Sequence, residues 1–120
     1  MTEFRPVIDL PPALARLGED RELLCDLARF YLQDAPQLLM ELQVALTEEN
    51  SEAVARSAHS LKGLSANFDA HDAVDAARSV EQSAMAGDLE GAAARVPRLR
   101  DEVSLVQTAL HDQLLAAEDN

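Results

Sequence analysis

Apolar residues recur every three or four positions along nearly the whole chain, the repeat that lines one face of an α-helix. Nowhere do β-branched residues alternate with polar ones for long. The spacing predicts a short helix after Asp9, whose carboxylate is placed to cap it, with Pro11 and Pro12 where no backbone donor is needed and Gly18 as its stop. A long helix follows from Glu19 or Asp20 to about Glu48, with Leu23, Leu24, Leu27, Phe30, Tyr31, Leu38, Leu39, Leu42 and Leu46 as apolar positions and a kink before Pro36. Glu49, Asn50 and Ser51 form the connection. The third helix, Ser51 to about Phe68, carries Val54, Ala58, Leu61, Ser65 and Phe68 as a narrow stripe. The fourth, about Ala70 to Ala86, carries Ala73, Ala77, Val80 and Ala84, capped by Asp69 and stopped at Gly87. Asp88 caps a fifth, which Pro97 bends early and which carries Val96, Leu99, Val103, Val106, Leu110 and Leu114; the terminal AAEDN is expected to fray.

Four sizeable amphipathic helices joined by short loops bury their stripes only against one another. The expected fold is therefore all-α, an up-down-up-down four-helix bundle with a short additional N-terminal helix covering one end of the core. A chain of 120 residues fits one domain, 1–120, with its core at about 8–116. Charge narrows the partners. Ten Lys and Arg against 22 Asp and Glu give a net charge of -12, so nucleic acid and anionic membrane surfaces are repelled on average. The single cysteine, Cys25, excludes an intramolecular disulfide and reads as buried apolar filler. No secretory pattern opens the sequence and no run approaches the ~18 apolar residues of a membrane span. The expectation is a cytoplasmic protein that acts as a monomer.

One face of the third helix departs from this packing logic. On a helical wheel His59 falls about 150° from the centre of the apolar stripe and points away from the core. Around it lie Ala55, Gly63 and Ala66, where an idle solvent face would carry long polar side chains. Gly63 in a helix interior costs roughly 1 kcal/mol relative to Ala, so some gain should offset it. Residues 53–68 contain no Asp or Glu but do contain Arg56 and Lys62, a cationic island in an acidic chain. Lys62, one turn from His59, is placed to reach an anion held at the ring. Imidazole is a covalent nucleophile, and its attack on phosphorus gives a transferable phosphoramidate. The chain shows no glycine-rich phosphate loop and no carboxylate cluster for magnesium, so catalysis must come from a partner. His71 and Asp75, one turn apart, offer only two ligands and make no metal site. Ser60 and Ser65 read as ordinary helix residues; Arg78 and Glu81 on the fourth helix either face the site from the side or, the reading preferred here, form a solvated face.

AHSLKGLSANFDA, residues 58–70, resembles the signature of histidine-containing phosphotransfer (HPt) domains: a histidine, a lysine three residues on and a glycine four residues on. FYLQDAPQLLMELQVAL is similar to the second helix of that family, AARSVE followed by AGD to its fourth helix and exit, and DLPPALARLGEDRELL to its start, so the resemblance covers roughly residues 8–110. It implies that His59 accepts a phosphoryl group from the aspartyl phosphate of a response-regulator receiver domain, or from a histidine kinase such as a hybrid kinase, and passes it to another receiver aspartate in two-component signalling. Lys62 would steady the group, Gly63 would clear space, and Ala55, Arg56 and Ala66 would complete the docking face. The chain itself would bind no cofactor or metal and would not be an enzyme, Mg²⁺ being expected in the receiver. Asp69 stands where the family usually has glycine, which implies a local adjustment of the turn. Two other readings stay open: an interaction module that binds a receiver or kinase without being phosphorylated, and a kinase-linked domain cut from a longer hybrid protein.

Overall fold

The computed structural model describes residues 5–116, and within them every regular element is helical. The helices are α1 (Leu10–Arg16), α2 (Arg21–Thr47), α3 (Ser51–Ala66), α4 (His71–Met85) and α5 (Leu89–Leu110), which widens into a π-helical turn at His111–Leu115. The expected fraying of the tail falls on residues 117–120, outside the described residues. α2 packs against α3, α3 against α4 and α4 against α5, and α5 returns against α2.

Side-chain caps start three of the five helices. Asp20 accepts from the Leu23 amide at 3.0 Å, Asn50 from Ala53 at 3.0 Å and Asp88 from Gly91 at 2.8 Å, each satisfying an amide that the first turn leaves without a partner. Asp9 occupies the N-cap of α1 without a side-chain cap bond. Gly18 and Gly87 stop α1 and α4 with φ of 66° and 77°, values that a residue without Cβ adopts at no steric cost. α2 continues through Pro36 as one helix.

The stripes of α3, α4 and α5 are buried as expected, and Cys25 lies inside as filler. α2 differs from its leucine pattern. Leu23 is 42% and Phe30 55% exposed, while the buried line is Leu24, Ala28, Tyr31, Ala35, Leu42 and Ala45. A helix with more large apolar residues than one face can hold buries the line that includes small ones, because alanines let neighbouring helices come close. Tyr31 and Phe68 meet edge to face at 5.8 Å, and the Tyr31 hydroxyl shares a 3.1 Å hydrogen bond with Ser65 Oγ across the α2–α3 seam. Burial pushes the Tyr31 phenol up to about 12, the bond to Ser65 opposing only part of that rise. Tyr31→Phe keeps the ring but strands the Ser65 hydroxyl in a fully buried position. It should cost about 1–2 kcal/mol in urea unfolding with an unchanged m-value; a cost near zero would show that the bond contributes nothing.

The turn after α3 corrects one expectation. Asp69 does not cap α4, whose N-cap is Ala70 with no side-chain bond. Asp69 instead adopts φ 49°, a left-handed conformation that Asp tolerates better than most residues, and its carboxylate meets Arg16 of α1 at 3.0 Å. Arg16 also donates to the carbonyls of Ala66 at 3.2 Å and Asn67 at 3.4 Å. The end of α3 is thus capped from α1 by a cation near its negative dipole end. A backbone bond from Asp9 N to Phe68 O at 2.8 Å ties the N-terminal segment to the same turn. Beyond covering the core with Ala13, and with Ile8 just ahead of it, α1 therefore braces the helix that carries His59.

Candidate functional site

His59 stands in the middle of α3 with its side chain 68% exposed, as the wheel placed it. Its immediate partner comes from another helix. Glu81 of α4 is buried, and its carboxylate takes a 2.6 Å hydrogen bond from His59 Nδ1 and, on its other oxygen, a 2.6 Å bond from Lys62 Nζ. Val80 and Ala84 turn α4 toward the core, and Glu81, next to Val80 in sequence, lies at the edge of that buried face where α4 meets α3.

The titration of Glu81 follows from this geometry. Burial alone would raise its carboxyl. The hydrogen bonds from Lys62 and His59, together with their charge, outweigh that and hold it below the usual carboxylate range. An ionised carboxylate only accepts hydrogen bonds, so the proton between it and the ring belongs to Nδ1. In the neutral ring the lone pair then sits on Nε2. The arrangement selects one tautomer and leaves the outer nitrogen nucleophilic. The depressed value also carries a sign for folding: the pairing adds stability above the unfolded carboxylate range and loses it as pH falls through the lower folded value.

Glu81 thus decides one reading of the sequence and corrects another. It belongs to the site and not to a solvated face, and it revises the cationic island, because Lys62 is neutralised by a carboxylate from α4 and is only 25% exposed. Arg78 behaves as surface and pairs with Asp75 at 3.0 Å. Arg56, Gly63 and Ala66 are exposed and Ala55 is half-buried. A Cβ built on Gly63 meets nothing within 4 Å, so no internal contact demands glycine there. Two open depressions flank His59, each reached one turn along α3. Gly63 lies in a groove of about 530 Å³ between α2 and α3, with Asp34, Gln37, Leu38, Ser60 and Leu64. Ala55 lies in a smaller one between α3 and α4, beside the exposed Met85. The α2 wall of the larger groove was not among the expected docking residues. Of that wall only Leu38 was singled out in the sequence, and as an apolar position of the helix.

Among the described residues no three His, Cys, Asp or Glu side chains converge as metal ligands, and no helix is long and apolar enough to cross a membrane. What the cluster offers chemically is an accessible imidazole nitrogen, a proton fixed on the opposite nitrogen, and a lysine ammonium one turn away.

The family described as the Hpt domain matches residues 26–109. Among solved structures, the crystal structure of histidine-containing phosphotransfer protein B from Pseudomonas aeruginosa PAO1 is similar to this chain, with a TM-score of 0.83 and 26% sequence identity over 94% of this chain and 98% of that one. No curated protein sequence matches significantly.

Proposed function

The chain belongs to the Hpt domain family, and from that membership we propose that His59 is its phosphoryl acceptor and donor. Proteins of this family carry phosphoryl groups in two-component phosphorelays and are not themselves the catalysts. The observation that carries the assignment is the bond from His59 Nδ1 to Glu81, which leaves an exposed Nε2 as the nucleophile.

The step balances simply. The Nε2 lone pair attacks phosphorus of an aspartyl phosphate, the N–P bond forms, and the acyl O–P bond breaks with its electrons returning to the aspartate carboxylate. The ring becomes a phosphoimidazolium whose positive charge lies against Glu81. Lys62, whose ammonium bonds the same carboxylate one turn along α3, would share its charge between Glu81 and the arriving phosphoryl oxygens. The reverse sequence delivers the group to the aspartate of a second receiver. Mg²⁺ and the acidic pocket that holds it would be the receiver's contribution, while this chain supplies nitrogen, proton and docking surface. The partners we infer are a response-regulator receiver domain and a hybrid histidine kinase. The groove beside Gly63 and the exposed positions Arg56 and Ala66 form the surface they would meet, with Ala55 at its α4 side. The circuit of helix contacts supports the up-down-up-down four-helix bundle, formed by a single domain, as the scaffold that keeps this face clear.

The test is positional. A phosphorylated receiver with Mg²⁺ is mixed with the protein, and the product is read by phosphorus and nitrogen NMR. The phosphoryl group is expected on Nε2 of His59. Phosphorylation on Nδ1, or on another residue, would overturn the proposal.

A further inference from the structure

Resting on His59 as the acceptor, we propose that Glu81 also governs how readily the phosphoryl group leaves, by holding the Nδ1 proton on the phosphorylated ring. Two routes exist for delivery to an aspartate. With Nδ1 protonated, the new O–P bond forms as the N–P bond breaks, its electron pair returns to Nε2, and neutral imidazole departs. Without that proton the departing group is imidazolate, a far more basic anion, and transfer stalls. Retention of one proton therefore separates a labile phosphoramidate from an inert one.

The geometry suits Glu81 to this task. Its bond to Nδ1 is short at 2.6 Å, and with the carboxylate only 11% exposed little water competes for the proton. The second oxygen is fixed by Lys62 at 2.6 Å, so the carboxylate is held from both sides and stays ionised and accepting. The charged groups acting on Glu81 are these two from α3. On α4 itself, the neighbouring Arg78 is turned to Asp75. No charged group of α2 or α5 is among those that shift Glu81, so the ring proton and Lys62 dominate its surroundings. Glu81 is thus a positioning residue that acts through the imidazole and does not touch the phosphorus.

The measurement is the pH profile of release. Wild type, Glu81→Gln and Glu81→Ala are phosphorylated by a phosphorylated receiver or by phosphoramidate, freed of donor, and chased with excess unphosphorylated receiver from about pH 5 to about pH 10. Because the receiver is common to all three, its own titration cancels in the ratio to wild type. For Glu81→Gln the ratio is expected to stay within about twofold in acid and to fall at least about tenfold by pH 8, as the alkaline limb moves down by about one pH unit or more. Melting curves of the variants check that the fold persists. A ratio that is flat with pH, even if lowered throughout, overturns the inference by leaving Glu81 a merely structural role. So does failure of both variants to take up the group from either donor, which would place Glu81 in acceptance instead of release. Label that persists in His59→Gln would remove the acceptor assignment itself; a flat ratio with label confined to His59 removes only the role of Glu81.

Discussion

His59→Gln is expected to abolish acid-labile, base-stable phosphoryl incorporation, to below about 1% of wild type, while the helical fold and the melting temperature stay nearly unchanged. The size of the effect follows from the chemistry, because the amide nitrogen of Gln has its lone pair delocalised into the carbonyl and does not attack phosphorus. The small structural cost follows from position. His59 is mostly exposed, and its hydrogen bond is to Glu81. Lys62 still pairs with that carboxylate in the variant, so no buried charge is stranded, and the stability change should stay within about 1 kcal/mol. The assay follows label from a phosphorylated receiver into the protein with time, alongside a thermal melt of each form. Full labelling of the variant would place the acceptor elsewhere. His71 and His111 are the other two histidines; His111 meets the exposed Asp112, and the chain's single lysine, Lys62, is bonded to Glu81.

The legibility of this molecule in its sequence divides along physical lines. The stripes of α3, α4 and α5 were readable because each helix buries a single line of residues at three-four spacing and carries few spare apolar side chains. α2 was less readable. Its leucines spread over about half of the helical wheel, and the alanines that mark the buried line within that arc carry almost no hydrophobic signal of their own. The exposed ring of His59 was readable because burial within one helix is a matter of angle alone. Glu81 was readable only as one of two alternatives, facing the site or facing solvent, because the choice depends on how α4 is rotated against α3, a relation between residues 22 positions apart. One trace of it existed: Glu81 follows Val80 and lies three residues before Ala84, so an acid bordered the predicted core line of α4. Asp69 was misread for a related reason. Its left-handed backbone turns the carboxylate toward Arg16 of a helix 53 positions away, where local capping rules do not reach.

Gly63 separates stability from function in opposite directions, and two substitutions there should show it. Gly63→Ala removes the entropic penalty of a helical glycine, and the added methyl group meets no neighbour within 4 Å. It should raise unfolding stability by about 1 kcal/mol. Gly63→Gln should be stabilised as well, since glutamine is a good helix former and the position is exposed. Its side chain, however, projects over the α2–α3 groove one turn from the imidazole, where the phosphorylated receiver must bring phosphorus to within about 3–3.5 Å of Nε2. Transfer to Gly63→Gln is expected to fall by at least about a hundredfold, since a misplacement of about 1 Å already costs that much. Phosphorylation by a small donor such as phosphoramidate should change little, because such a donor needs no flat docking face. Urea melts and time courses with both donors read the two effects on the same preparations. A more stable Gly63→Gln that still accepts the group from a receiver at the wild-type rate would show that the partner does not approach over this face. In that case the smaller depression between α3 and α4, beside Ala55 and Met85, would become the side from which it comes.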